Sequence, residues 1–283
     1  MNFPKENPRF PDSINNAHEN PFVDFLLMAA GLLTLIVFMS FAIGWSASWL
    51  GPLIPYDWEP NISLGQHDTL SDDNLKIQDY LTELTERLSS DTETDYPVKV
   101  HWLPEIPDAN AFATSGGHIH VTRGLLDSVS SENGLAMVLA HEYAHIEMRH
   151  PAMLMLKQLG HTILYMALGL GDSGAGSLAQ NTGFVSLMSF SREMERAADN
   201  RALELLEKEY GHTNGASELF KSLLDKEMPS GIALERLQGW WQSHPATLER
   251  IENIEHKKKD GRFDQNLRPL PAWLSVALDT TKS

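Results

Sequence analysis

His141-Glu142-Tyr143-Ala144-His145 is the stretch that decides how this 283-residue chain folds. Residues four apart lie on one face of a helix, so the two imidazoles can reach a single metal ion. Glu142, one position on, can reach a water in the metal's open position and take its proton. Leu135, Ala136, Val138, Leu139 and Ala140 make the preceding turns almost wholly apolar. That pattern predicts a buried helix from about Ser131 to His150, ended by Pro151. Two histidines and a carboxylate on a buried helix need partners, and a metal supplies one.

Two histidines and a water leave zinc one ligand short of its tetrahedral set. Glu195, on a long helix predicted over Phe184 to Lys208, is the strongest candidate for the third ligand. Asp199 lies one turn further along the same face, where it can bond a histidine's far nitrogen and fix its tautomer. A solvated acidic face is the competing reading of this helix. Ala197 and Ala198, however, place small residues between the two acids, as close packing against another helix requires. The chain has no cysteine, so any metal site must be built from His, Asp and Glu, and disulfides and lipid attachment through cysteine are excluded. A net charge of −16 argues against nucleic acid as a partner and against docking on anionic lipid through a basic patch.

Toward the N-terminus, residues 1–24 read as a disordered polar tail and 25–50 as a strongly apolar stretch long enough to be a transmembrane anchor. Trp45, Trp49, Tyr56 and Trp58 stand where an interfacial aromatic belt lies. A cleaved signal peptide (Ser46-Ala47-Ser48 resembles a cleavage site) and a buried core helix are the alternatives. The run is too long, and its leading segment not positive enough, for the first. Lys5 and Arg9 precede the span and no basic residue follows until Lys76. The positive-inside rule then places the N-terminus in the cytoplasm and the bulk of the chain outside, as in a bacterial inner-membrane protein facing the periplasm.

Residues 51–69, marked by Pro52, Pro55 and Pro60, read as a linker. Ser71-Asp72-Asp73 starts a helix with an apolar face of Leu75, Tyr80, Leu81, Leu84 and Leu88. Strands are predicted over Val98–Leu103, Ala109–Ala113 and His118–Thr122, the last two joined by a tight turn at Ser115-Gly116-Gly117. Beyond the metal helix, Ala152–Gly171 is a core or membrane-facing helix, too short and too interrupted by Lys157 to span. Gly171–Gly176 is a loop that either gates the cleft or is a solvated linker. Two shorter helices follow, with Trp240-Trp241 and His244-Pro245 between them. Residues 259–283 form a C-terminal tail, apolar only at Trp273-Leu274. Among the other histidines, His118 and His120 share a strand face without making a convincing site, His150 points away from the metal, and His161 is a hydrogen-bonded core group.

His141-Glu142-x-x-His145 with Arg149-His150, and Ser191-Arg192-x-x-Glu195-x-x-Ala198-Asp199, resemble the motifs of the membrane-associated gluzincin metallopeptidases. That family includes the HtpX and BepA peptidases, the Oma peptidases and the CAAX prenyl proteases. Asn110-Ala111-Phe112 with the segment from Gly116 to Leu126, and His244-Pro245 through Arg250-Ile251, are similar to two further family segments. The resemblance covers about residues 70–255. It implies one Zn2+ per chain on His141, His145 and Glu195, with Glu142 as base and then proton donor, and Asp199 behind the ligands. It also implies a cleft edge along Gly116, Gly117, His118 and Ile119, on which protein or peptide substrates pair in extended form, with His244 and Arg250 facing the cleft to stabilise the oxyanion or to cap an idle zinc. Ser115 departs from the proline of many relatives, which is expected to loosen the turn. The single N-terminal span departs from HtpX-type members, which add spans after the metal helix.

The expectation is therefore an α+β, mostly helical, zincin-type metallopeptidase domain over residues 70–258. A small sheet lies at its cleft, and one transmembrane helix over residues 25–50 fixes it in the bilayer. The activity expected is zinc-dependent endopeptidase action in quality control of membrane or envelope proteins. The rival is a zinc-bearing chaperone or assembly factor that grips extended chains and cleaves rarely.

Overall fold

In a computed structural model of the chain, residues 20–60, 71–90, 92, 97–169, 190–218, 244, 248–257 and 267–280 are described. The N-terminal tail up to residue 19, the Gly171–Gly176 loop, the start of the helix expected at Phe184, and Trp240-Trp241 lie outside them. The chain divides into two units, Met1–Ser46 and Ala47–Ser283.

Helix α1 (Pro21–Leu50) carries no basic residue, and Pro21–Leu53 is long and apolar enough to cross a membrane. It begins four residues earlier than the hydropathy alone suggests, because Asn20 caps its first turn by accepting from the Phe22 N–H at 3.1 Å.

In the second unit, α2 (Asp72–Ser89) starts where expected, with the Ser71 side chain accepting from the Asn74 N–H. Its buried stripe is Ile77, Leu81, Leu84 and Leu88, whereas Leu75 is exposed. The predicted face was therefore off by about half a turn at its first position. The sheet consists of β1 (Lys99–Leu103), β2 (Ala111–Thr114) and β3 (His118–Thr122) in the order β1-β3-β2. β1 runs parallel to β3 and β2 antiparallel to it. Gly116 and Gly117, both at positive φ, close the β2–β3 turn. A short helix, α3 (Arg123–Leu126), follows.

Helix α4 (Glu132–Glu147) is buried on every side from Glu132 to Ile146, so it forms the axis of the unit. Ser131 caps it, accepting from the Gly134 N–H at 3.0 Å. Arg149, at φ 63, turns the chain sharply into α5 (His150–Ala167). Helix α6 (Arg192–Tyr210) lies along α4, with Ala198 and Ala202 fully buried at the contact. Of the two small residues between the acids, Ala198 thus does what the sequence required, whereas Ala197 is only half-buried. α7 (Leu248–His256) rests on α6.

Two segments differ from their reading as tail and linker. α8 (Ala272–Thr280) buries Leu274, Ala277 and Leu278 in the main core and packs on α2. Just before it, the Arg268 carbonyl accepts from the Glu132 N–H, so this segment closes over the start of the metal helix. Burying three apolar side chains outweighs the ordering of a short stretch, which composition alone does not reveal. Residues 51–60, for their part, form two short 3-10 turns (Gly51–Leu53 and Tyr56–Trp58) pressed onto α5 and the β2–β3 turn.

Candidate metal centre

One helical turn of α4 presents His141 and His145 side by side, their Nε2 atoms 3.0 Å apart. α6 brings Glu195 across from them, one oxygen 3.4 Å from His141 Nε2 and the other 3.4 Å from His145 Nε2. His244 completes the group, with Nδ1 3.3 Å from His141 Nε2 and 3.0 Å from Glu195. Four donor atoms, from His141, His145, Glu195 and His244, lie within 4.8 Å of one another, and all four residues are buried. Three imidazoles and a carboxylate are a donor set suited to zinc.

Glu142 is fully buried, and its carboxylate oxygens make no close hydrogen bond among the described residues, the His244 Nε2 standing 3.4 Å from one of them. Buried carboxylates are almost never left so, unless a water or substrate group is to fill the position. The donor set and this carboxylate together fit a metal and its water. Burial pushes the Glu142 carboxyl above its usual range, against the imidazole charges of His244 and His141. Burial also works against a charge on His141, but the Asp199 and Glu195 carboxylates more than offset it and raise that imidazole to about 10. His145 goes the other way, with burial holding it well below the usual imidazole range. Glu195, despite its burial, is held far below the ordinary carboxylate range by His244, His141 and His145. Glu195 is thus ionised, as a carboxylate that binds a metal must be.

Behind the donors, Asp199 lies 3.0 Å from His141 Nδ1, as the spacing on α6 led one to expect. Arg250, on α7, forks onto Asp199 at 2.7 and 2.8 Å and reaches Glu195 at 2.6 Å. Its guanidinium therefore secures the third donor.

The structure alters three expectations. β3 is the central strand, bonded by β1 on one side and β2 on the other, so Gly117–Val121 cannot be the cleft edge. The edge beside α4 is β2, whose Ala113 N–H faces the Glu142 carboxylate. His118 and Ile119, on β3, consequently do not line it, whereas Gly116 and Gly117 lie in the turn that follows β2. His118 instead lies 2.6 Å from His101 across the sheet, and His120 stacks on Phe112. His150 does not point away. The left-handed turn at Arg149 swings it back until its Nδ1 is 2.9 Å from His145 Nδ1. Ser115 does not loosen its turn, since its hydroxyl donates to Glu59 at 2.8 Å. Phe190, missed in the sequence, stacks on the His145 ring at 3.9 Å, and no local pattern could have signalled it.

The profile of Peptidase family M48 matches residues 72–258, which contain every residue of this centre. The Mitochondrial metalloendopeptidase OMA1 of Schizosaccharomyces pombe is 33% identical over 150 residues, 53% of this chain and 43% of its own. The Metalloprotease LoiP of Escherichia coli is 30% identical over 155 residues, 53% of this chain and 59% of its own. The Beta-barrel assembly-enhancing protease of Escherichia coli is 26% identical over 209 residues, 68% of this chain and 41% of its own. The chain thus spans about half the length of the curated relatives it matches.

Proposed function

The chain belongs to Peptidase family M48, and from that premise we propose that it is a membrane-anchored zinc metalloendopeptidase acting in quality control of membrane or envelope proteins. The observation that carries this reading is the convergence of four buried metal donors beside the fully buried Glu142 carboxylate.

A single zinc ion held by His141, His145 and Glu195 would polarise a scissile carbonyl and make a water acidic enough to lose its proton near neutral pH. Glu142 takes that proton and returns it to the leaving amine. Asp199 and His150 hold the two histidine rings in orientation through their far nitrogens. An extended substrate lies along the β2 edge, bonding strand to strand. His244 offers a fourth donor atom beside them, so it would cap an idle zinc and would have to swing aside for substrate. His244→Ala is then expected to raise basal cleavage while weakening metal retention.

The decisive experiment is digestion of casein by the full chain in detergent micelles loaded with zinc, with Glu142→Gln beside it. The parent should cut, and the variant should lose about a hundredfold or more while keeping its metal. Metal bound by both and no cleavage by either would sink the peptidase reading. It would favour the rival, an assembly factor, in keeping with the assembly-enhancing role for which the 26% identical Escherichia coli relative is named.

We further place the catalytic unit on the non-cytoplasmic, periplasmic side of a bacterial inner membrane, anchored through residues 25–50. Lys5 and Arg9 before the span and the absence of a basic residue until Lys76 support it. Because the chain has no cysteine, Ser90→Cys gives a single thiol on the catalytic unit. A membrane-impermeant maleimide applied to intact spheroplasts should label it, and protection from the reagent would reverse the orientation.

A further inference from the structure

Glu59 lies nine residues beyond the end of α1 and ties together two parts of the cleft that are far apart in sequence. One oxygen is 2.6 Å from Arg149 Nη2, in an ion pair whose two side chains are 4% and 9% exposed. The other accepts from the Ser115 hydroxyl at 2.8 Å and from the Gly116 N–H at 2.9 Å. Arg149 follows directly on the last turn of the metal helix, four residues after His145. Ser115 and Gly116 follow directly on the edge strand β2, two residues after the Ala113 that faces Glu142. The carboxylate thus spans the gap between the helix that carries the metal donors and the strand on which substrate is laid.

Two further observations point the same way. Arg149 is the one non-glycine residue at positive φ among the described residues, a conformation that persists only where surroundings impose it, as they do here through Glu59 and the Ile54 carbonyl. Tyr56 stacks its ring under the Arg149 guanidinium, 5.6 Å away, and covers Gly117 so closely that a Cβ there would meet its hydroxyl. A buried ion pair adds little over an apolar pair, but taking away one partner strands the other charge, so the two segments that Glu59 and Arg149 belong to are held together.

We propose that Glu59 is a positioning residue that fixes the separation between the β2 edge and the end of the metal helix, and so aligns a bound peptide with the metal. The inference rests on the peptidase reading above. β2 keeps its pairing to β3 when Glu59 is changed, so peptide still binds along it. What is lost is the alignment of the scissile carbonyl, and small misplacements are costly in rate.

The test uses the full chain in micelles with Glu59→Gln, and Ser115→Ala as a milder second variant that removes one partner from the other side. On an extended quenched-fluorescence peptide, Glu59→Gln should lower kcat about tenfold with KM within about twofold. Ser115→Ala should lower kcat about threefold. Both should keep the parent's metal content; Ser115→Ala should keep its unfolding midpoint, and Glu59→Gln, which strands the Arg149 charge, should unfold at lower urea yet stay fully folded under the assay conditions. Hydrogen exchange at the Gly116 amide should quicken in Glu59→Gln while the amides of α2 stay unchanged. A kcat within twofold of the parent overturns the proposal, and so does a loss that merely tracks lost metal or lost folded protein. If the parent itself does not cleave, the peptidase reading fails instead. The exchange experiment then decides alone, an unaltered Gly116 amide overturning the role of Glu59 and a quickened one supporting it.

Discussion

His145 has no freedom to turn. Phe190 lies against its ring, Glu195 faces Nε2, and His150 meets Nδ1 at 2.9 Å. His150→Ala is expected to weaken metal affinity about tenfold to a hundredfold, as loss of such outer partners does, and to leave cleavage at saturating metal much less affected. Competition with a chromophoric chelator measures the first and steady-state rates the second. An affinity equal to the parent's would show that Phe190 and Glu195 suffice to hold the ring. The pair of histidines, Glu142, Glu195 and Asp199 were all legible from the sequence, because helical periodicity converts spacing directly into a shared face. His150 was not. Extending the helix by five residues carries it off the metal face, and nothing local announces that Arg149, a residue unsuited to a left-handed turn, adopts one.

Among the elements, helices whose stripes are local could be placed within about a turn, except that α6 starts at Arg192, capped by Ser191, about two turns after Phe184, whereas the sheet order could not. The parallel pairing of β1 with β3 joins Lys99 to His118, and strand periodicity carries no information on which neighbour a strand takes. For that reason the cleft edge was assigned to β3 when it belongs to β2. The joint of α2, α4 and α6 is likewise non-local. Glu132, at the start of the metal helix, accepts from Arg87 at 2.7 Å and from the hydroxyls of Tyr80 and Tyr210 at 3.1 Å each. Burial pushes its carboxyl up, but these donors and the Arg87 charge win and hold it below the usual 4.5. The folded chain therefore binds this proton less readily than the unfolded one. The stabilisation is complete above about pH 4.5 and is lost as pH falls through the lower folded value. Glu132→Gln should cost about 2 kcal/mol near neutrality. In urea titrations repeated from pH 7 downward, the gap between parent and variant should close in acid; a gap constant with pH would refute the assignment. Where α4 meets α6, Ala202→Leu should cost about 1–3 kcal/mol by overpacking. By pushing Glu195 and Asp199 outward it should also reduce bound metal, which elemental analysis of the purified variant would register.

For the molecule as a whole, the C-terminal segment is the part whose importance composition hides. Deleting residues 267–283 removes Leu274, Ala277 and Leu278 from the core and uncovers the start of α4. Each buried leucine contributes about 2 kcal/mol, so the truncated chain should unfold at clearly lower urea than the parent, with an unchanged midpoint contradicting the packing described for α8. The donors themselves arrive over a long stretch of chain: His141 and His244 stand 103 residues apart, with Glu195 between them. During synthesis the histidine pair is made before its carboxylate, and His244 and the supporting Arg250 later still. A nascent chain grown only through α4 therefore holds two of the four donors and cannot yet close around an ion. The order of residues along the polypeptide spaces out in time the arrival of the groups that make the site.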